Sequence, residues 1–162
     1  MNNGSQTVLL TLRVNGKAHR VSVTADDTLL DVLRRDLHYA SCRETCGLGV
    51  CGSCTVMVDG RAVSACLAPA FTQEGCEVRT AEGLEGATDL HPVQRAFIEE
   101  QAFQCSFCTP GFLMSTVAMI EDDSPPDIED ALSGHLCRCG SYRQIRAAVD
   151  RVVADTKGAA DE

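Results

Sequence analysis

The chain has 162 residues, a formal net charge of -9 at pH 7 and an isoelectric point near 4.8. This acidic balance argues against a nucleic-acid-binding protein, because such proteins neutralise phosphates with lysine and arginine. Aromatic residues make up only 4% and tryptophan is absent, whereas cysteine occurs ten times. A chain of this size without a large aromatic core is expected to form two small domains that metal ligation helps to stabilise.

The sequence also bears on cellular location. No apolar run approaches the roughly 18 residues of a transmembrane helix, and the segment MNNGSQTVLL lacks the basic and apolar regions of an export signal. Arg34-Arg35 lies inside an amphipathic stretch and not in a twin-arginine signal. We therefore expect a cytoplasmic protein with no membrane partner. In that reducing compartment, closely spaced cysteines indicate metal ligation rather than disulfides.

The first part of the chain predicts a β-hairpin and a short helix. Apolar and polar residues alternate from Thr7 to Val23 around Asn15-Gly16, which favours a hairpin with a type I′ turn. Thr24 to Asp27 then matches a capping box before an amphipathic helix. The predicted buried face of this helix carries Leu29, Leu30, Val32, Leu33 and Leu37.

A cysteine-rich loop from Cys42 to Cys54 separates this helix from a second predicted hairpin, which turns at Asp59-Gly60. Glu77 to Thr80 predicts one further short strand. Two hairpins and a crossing helix predict an α+β fold of the β-grasp type. We assign it to residues 1–80.

The rest of the chain predicts helices. Residues 81–91 are rich in glycine and lack periodicity, so we expect a linker. Apolar spacing of the helical type then follows predicted starts at Pro92, Thr109-Pro110, Asp127 and Ser141. An all-α four-helix domain is therefore expected over residues 92–155, with a flexible tail at 156–162.

One set of four cysteines belongs to the first domain: Cys46, Cys51, Cys54 and Cys66. Its C-x4-C-x2-C spacing with a later fourth cysteine is that of plant-type [2Fe-2S] ferredoxins. The Asp59-Gly60 turn is expected to bring Cys66 back beside Cys54. A tetrahedral zinc site also takes four cysteines, but structural zinc favours two C-x2–4-C pairs.

A second set lies in the helical region: Cys105, Cys108, Cys137 and Cys139. Each pair precedes a predicted helix, where backbone N–H groups stabilise thiolates. C-x-C is tight for a zinc knuckle, yet spacing alone leaves zinc and iron–sulfur chemistry both open.

The residues around the cysteines resemble a known family. CGLGVCGSCTVMVDG, Gln104-Cys-Ser-Phe-Cys-Thr-Pro-Gly111 and Leu136-Cys-Arg-Cys-Gly-Ser-Tyr142 are similar to the iron–sulfur subunit of the molybdenum hydroxylases, the xanthine dehydrogenase, aldehyde oxidoreductase and carbon monoxide dehydrogenase family. The resemblance extends over residues 7–153. It implies a plant-type ferredoxin-like [2Fe-2S] domain followed by a four-helix [2Fe-2S] domain.

The resemblance also implies partners. A large subunit would bind molybdopterin, in its cytosine dinucleotide form, and oxidise a small organic substrate; a medium subunit would bind FAD. This chain would have no catalytic residue and would relay electrons between them, within a dimer of heterotrimers. Cys105, Cys108, Cys137 and Cys139 would hold the cluster on the molybdenum side, and Cys46, Cys51, Cys54 and Cys66 the cluster on the flavin side. Gln104 and Cys139 would contact the pterin.

Within that family, Gly47-Leu-Gly-Val50 inclines us by analogy towards an N-heteroaromatic substrate. The alternatives are a free-standing two-cluster ferredoxin and a zinc-stabilised interaction module. Cys42 and Cys76 are interpreted as buried or half-buried apolar residues, with a disulfide or a spare metal ligand as the alternative. The histidines are interpreted as surface or packing residues, since each set already has four thiols: His19, His38, His91 and His135.

Overall fold

The first domain is built on a five-stranded sheet. The computed structural model describes residues 6–84 and 89–160, with side chains as far as residue 156. The strands are β1 (Val8–Val14), β2 (Lys17–Val23), β3 (Thr55–Val58), β4 (Arg61–Ser64) and β5 (Glu77–Arg79). Their order is β2-β1-β5-β3-β4, in which β1 and β5 are parallel and the other neighbours antiparallel.

Both predicted hairpins are present. Asn15 and Gly16 have φ values of 51° and 74°, and Asp59 and Gly60 have φ values of 48° and 81°, as a type I′ turn requires. The short strand β5 lies between the hairpins and pairs with β1 on one side and β3 on the other. It therefore joins the two hairpins into one sheet.

The crossing helix α1 (Leu29–Asp31) continues as a π-helical turn over Val32–Asp36. Its capping box is formed by Thr28 and Asp31, one turn later than the predicted Thr24–Asp27. Asp27 instead accepts hydrogen bonds from the N–H and hydroxyl of Thr24 at 2.6 and 2.9 Å, which closes a turn before the helix. The helix buries its apolar face against the sheet, as predicted.

In the described part of the chain, the second domain consists of four helices. They are α2 (Pro92–Glu99), α3 (Thr109–Ile120), α4 (Ile128–Leu132) and α5 (Tyr142–Ala160). The molecule therefore has the predicted α+β organisation, a β-sheet domain followed by a helical domain. Helix α5 runs past the expected end at residue 155 and through much of the predicted tail, while residues 161–162 lie outside the described residues.

The predicted linker is partly built into the fold. Ala81–Leu84 forms a 3-10 turn whose Ala81 and Leu84 are buried against the helical domain. Glu82 accepts hydrogen bonds from Ser41 and from Thr80. Residues 85–88 lie outside the described residues, and His91 caps α2 with its imidazole. The high glycine content of this segment predicts a linker, but two of its apolar residues are buried.

The two domains share a packed boundary on strand β3. Successive side chains of a strand point to opposite faces, and accordingly Val56 packs in the sheet-domain core while Met57 packs in the helical-domain core. Within the described residues, no helix is long and apolar enough to cross a membrane.

Candidate metal centres

The first thiol set gathers where the cysteine-rich loop meets the second hairpin. Cys46, Cys51 and Cys54 lie in the loop that leads into β3, and Cys66 follows β4. The hairpin register pairs Thr55 with Ser64, and Ala65 donates its N–H to the Cys54 carbonyl at 3.3 Å. Cys66 is thereby brought back beside Cys54, where sequence reasoning expected it.

The thiols of this set are associated as two pairs. Cys51 lies close enough to Cys46 to lower its pKa, and Cys66 lies close enough to Cys54 to affect the pKa of Cys54. Cys51 also lies near Cys54 and so connects the pairs. All four side chains of the set therefore occupy one small region.

Backbone N–H groups make part of this region favourable for thiolates. Gly47 has a φ of 63°, a left-handed conformation that glycine adopts without strain. The following residue, Leu48, donates its N–H to the Cys46 sulfur at 3.4 Å. This hydrogen bond, followed by that from Cys51, lowers the pKa of Cys46 to about 6. Burial has the opposite effect on Cys54 and raises its pKa to about 11.

The second thiol set lies between the helices. Cys105 and Cys108 end the α2–α3 connection, and Cys137 and Cys139 lie between α4 and α5. Cys139 lies close enough to Cys105 to lower its pKa, and Cys137 lies close enough to Cys108 to raise its pKa. The second set thus repeats the arrangement of two pairs.

Backbone N–H groups also lie close to the sulfurs of the second set. Ser141 lies just before α5, but its buried hydroxyl has no hydrogen-bond partner, so it does not cap the helix as predicted. Its N–H donates to the Cys137 sulfur at 3.4 Å. Burial raises the pKa of Cys137, but the hydrogen bonds from Ser141 and Cys108 outweigh it and leave that pKa lowered. The Phe107 N–H similarly lowers the pKa of Cys105.

One thiol of the second set is poorly solvated. Burial is the main cause that raises the pKa of Cys108 to about 12, and the neighbouring Cys137 adds to it. Cys108 is the N-cap residue of α3, in the position predicted for Thr109, which is instead the first helical residue. Metal binding would displace the proton of this buried thiol, because metal ligands are deprotonated.

A cavity of about 450 Å³ adjoins both sets. Its lining includes Cys51 of the first set and Cys105, Cys108 and Cys137 of the second. This volume is far larger than the share of about 30 Å³ that a water molecule takes in the liquid. The space and the thiol donors fit a small inorganic cluster.

The donor set of each centre fits a two-iron cluster. A [2Fe-2S] group takes four thiolates, which is the number that each set provides.

The two sets belong to loops in direct contact. The Leu136 N–H donates to the Cys51 carbonyl oxygen at 3.1 Å. A Cβ atom on Gly111 would lie 2.1 Å from the carbonyl oxygen of Gly52, so α3 approaches the first loop as closely as a glycine permits. The sequence did not indicate these contacts, although a glycine inside a predicted helix is a recognised signal of close packing.

His135 lies at the centre of this boundary. Its Nε2 is 3.1 Å from both Ser115 Oγ and the Gly111 carbonyl oxygen, and 3.3 Å from Thr55 Oγ1. Its imidazole is buried, and burial lowers its pKa. His135 therefore connects β3, α3 and the loop before Cys137, a role more specific than the predicted packing.

Gln104 and the remaining cysteines are also located. The Gln104 side chain is exposed and donates from Nε2 to the Cys139 carbonyl oxygen at 3.2 Å. Cys42 is buried in the sheet-domain core near Cys54, and burial raises its pKa to about 12. Cys76 is half-buried near Asp59. Both agree with the interpretation as apolar residues.

Family models match both halves of the chain. The model of the 2Fe-2S iron–sulfur cluster binding domain matches residues 12–85, and that of the [2Fe-2S] binding domain matches residues 80–150. Together they define a two-domain protein with two [2Fe-2S] clusters.

Relatives identify the family. The chain is 40% identical to the aldehyde oxidoreductase iron-sulfur-binding subunit PaoA of Escherichia coli K12, over 91% of this chain and 72% of that one. It is 42% identical to a nicotinate dehydrogenase subunit from Pseudomonas putida, over 91% and 96% of the two chains. A chain in the crystal structure of quinoline 2-oxidoreductase from Pseudomonas putida 86 matches with a TM-score of 0.83 at 35% identity, over 93% and 96%.

The chain therefore belongs to the family of iron–sulfur subunits of the molybdenum hydroxylases. It is part of an oxidoreductase complex, and its role there is electron transfer.

Proposed function

We propose that this chain relays electrons from a molybdopterin site on a large subunit to FAD on a medium subunit. Cys46, Cys51, Cys54 and Cys66 hold one [2Fe-2S] cluster, and Cys105, Cys108, Cys137 and Cys139 hold the other. When bound, each cluster takes up and releases one electron at a time. The observation that carries the proposal is the hydrogen bond between Leu136 and Cys51, which joins the two loops directly.

Each set would hold its cluster through two pairs of neighbouring thiols. In the first set the pairs are Cys46 with Cys51 and Cys54 with Cys66. In the second set they are Cys105 with Cys139 and Cys108 with Cys137. Two backbone donors, Leu48 N–H and Ser141 N–H, then stabilise the negative charge of the sulfurs.

The residues around the second set support the proposed direction of transfer. Gln104 is exposed beside Cys139, so its remaining amide atoms are open to a polar ligand on another subunit. We assign that ligand to molybdopterin in its cytosine dinucleotide form, which makes the second set the molybdenum side. The first set then faces the flavin.

Exposed apolar side chains flank both sets, as expected of surfaces that other subunits cover. Leu48 and Leu67 lie at the first set with 71% and 59% of their surface exposed. Leu136 and Phe107 lie at the second set with 57% and 42% exposed. These surfaces support a large and a medium partner subunit, which we propose assemble in the cytoplasm as a dimer of heterotrimers.

The substrate of the complex is proposed to be an N-heteroaromatic compound. A nicotinate dehydrogenase subunit and one chain of quinoline 2-oxidoreductase each match this chain over 96% of their own length. An aldehyde is the alternative, because the PaoA subunit is similarly close in identity. Turnover of nicotinate, quinoline and benzaldehyde by the purified complex distinguishes these substrates.

The relay is tested on protein purified from its native host. We expect a large and a medium partner to co-purify and dithionite reduction to produce two distinct paramagnetic [2Fe-2S] signals. A colourless chain that holds zinc would refute the cluster assignment. A two-cluster monomer without partners would instead support a free-standing ferredoxin.

A further inference from the structure

Arg43 has its backbone in the loop of the first thiol set and its guanidinium beside the loop of the second. Arg43 lies three residues before Cys46. Its backbone N–H donates to the Ser53 carbonyl oxygen at 3.1 Å, so its backbone is part of the loop that carries the first set. Its guanidinium carbon nevertheless lies 5.2 Å from the centre of the Phe107 ring. Phe107 directly precedes Cys108 in the second set. The side chain thus places a positive charge from one domain over an aromatic ring that directly precedes a candidate metal ligand of the other.

No carboxylate balances this charge in the described part of the chain. Arg43 Nε is buried without a hydrogen-bond partner, and Arg43 takes part in none of the ion pairs among the described residues. Arg34, close by in sequence, instead donates to the Cys42 carbonyl at 2.6 Å. A partly buried, unpaired guanidinium is unfavourable unless another negative charge lies nearby. Under the proposed cluster assignment, the thiolate of Cys108, the residue after Phe107, would supply such a charge.

We propose that Arg43 raises the reduction potential of the cluster held by Cys105, Cys108, Cys137 and Cys139. This inference rests on the proposed cluster assignment. A [2Fe-2S] group with four thiolates is negatively charged, and reduction of one ferric ion to ferrous by one electron adds a further negative charge. Arg43 stabilises that added charge, because a guanidinium over an aromatic ring in a partly dry site is weakly screened. The electron comes from the reduced molybdenum centre of the large subunit, which loses it.

The experiment is a redox titration of the full chain, with the partner subunits that co-purify, followed by electron paramagnetic resonance. Arg43→Met removes the charge but keeps a long side chain. We expect it to weaken electron binding at the second cluster about tenfold, or about 59 mV for a one-electron couple, and to change the first cluster less. Cys108→Ser identifies which signal belongs to the second cluster.

Two further variants separate charge from structure. Arg43→Lys keeps the charge and should retain most of the wild-type potential. Arg138→Gln is the control, because Arg138 is exposed between two ligands and salt screens its charge. The Arg43→Met shift should persist at about 1 M salt, where the Debye length is about 3 Å, whereas any Arg138→Gln shift should disappear.

An unchanged potential in Arg43→Met would overturn the inference. So would an equal shift in Arg43→Lys, since that would indicate a purely structural role. Failure of the proposed function itself would be distinct, because the wild-type chain would then lack two paramagnetic signals.

Discussion

The Leu136 N–H lies 3.1 Å from the Cys51 carbonyl oxygen and donates a hydrogen bond to it. Cys51 is a candidate ligand of the first set, and Leu136 directly precedes Cys137 of the second. A route of covalent bonds and one hydrogen bond therefore connects the two candidate metal centres. This contact also fixes how close the two loops lie.

Leu136→Pro removes the donor and leaves the Cys51 carbonyl without this partner. We expect a loss of about 1–3 kcal/mol in the free energy of unfolding, together with slower electron exchange between the clusters. Leu136→Ala is the matched control, since it keeps the N–H and removes a mainly exposed side chain; it should change stability by no more than about 0.5 kcal/mol. Thermal unfolding and rapid-freeze paramagnetic resonance measure the two effects. Equal behaviour of the variants would rule out a role for the N–H.

The close contact between Gly111 and Gly52 predicts that replacing Gly111 by alanine destabilises the protein. A methyl group at Gly111 would meet the Gly52 carbonyl oxygen at 2.1 Å, so helix α3 must move away from the first loop. We expect Gly111→Ala to cost about 1–3 kcal/mol of stability and to speed loss of both clusters. Gly134→Ala has open space around its Cβ and should be tolerated. Bleaching of the visible absorption under air, compared for the two variants, is the measurement.

Local sequence signals predicted the first hairpin, the start of α4 and the first cysteine loop. Asn15-Gly16 predicts its hairpin because the residues that need positive φ are adjacent, and α4 begins at its predicted cap, Asp127. The spacing of Cys46, Cys51 and Cys54 likewise describes a single loop. In each case the interaction joins residues only a few positions apart.

The features that the sequence did not predict depend on contacts between distant segments. Nothing near Glu77 indicates that β5 pairs with both β1 and β3, because a strand's neighbours are decided by the whole sheet. Thr24 and Thr28 both suit a cap, and the turn that Asp27 closes makes Thr28 the one used. The position of His135 depends on the packing of three segments. The neighbours of β5, the helix cap and the position of His135 are therefore determined by tertiary contacts, which local sequence patterns do not reveal.

Serine substitutions test the assigned order of the clusters. Cys139→Ser should slow electron entry from molybdenum, whereas Cys51→Ser should mainly block transfer to flavin. The reason is that each change alters a ligand of one cluster only. Stopped-flow reduction by substrate separates the steps, and equal reduction of both clusters in Cys139→Ser would contradict the order. Cys42→Ala is the control: it should cost about 1 kcal/mol or more of core packing but leave the iron content unchanged.

Tyr142 supports the second set through its hydroxyl. The Cys137 N–H donates to the Tyr142 oxygen at 2.8 Å. Tyr142→Phe leaves this donor unsatisfied, so we expect a loss of about 1–2 kcal/mol and faster loss of the second cluster alone. Tyr39→Phe is the control, because Tyr39 lies in the sheet domain and contacts His19. If both signals decayed together in Tyr142→Phe, the effect would be global rather than local.

Glu82 couples the segment between the domains to the start of the first loop, and this coupling should depend on pH. Its carboxylate accepts hydrogen bonds from Ser41 N–H at 2.8 Å and from Thr80 Oγ1 at 2.6 Å. Burial raises the pKa of Glu82, but the hydrogen bonds from Ser41 and Thr80 outweigh it and leave that pKa lowered. A lowered folded-state pKa means that the carboxylate stabilises the fold above its ordinary pKa, about 4.3, and that this stabilisation is lost as the pH falls through the folded value.

Glu82→Gln should therefore destabilise the protein by about 1 kcal/mol at pH 7 and speed loss of the first cluster. The difference from the wild type should stay constant from pH 7 to about pH 5 and shrink below about pH 4, because the wild-type carboxyl is then protonated too. Glu74→Gln is the control, since Glu74 is exposed at the end of the turn over Ala70–Gln73 and should have little effect. Rates of cluster bleaching across this pH range provide the measurement. A difference that grew towards acid would mean that the Glu82 carboxylate does not stabilise the folded state.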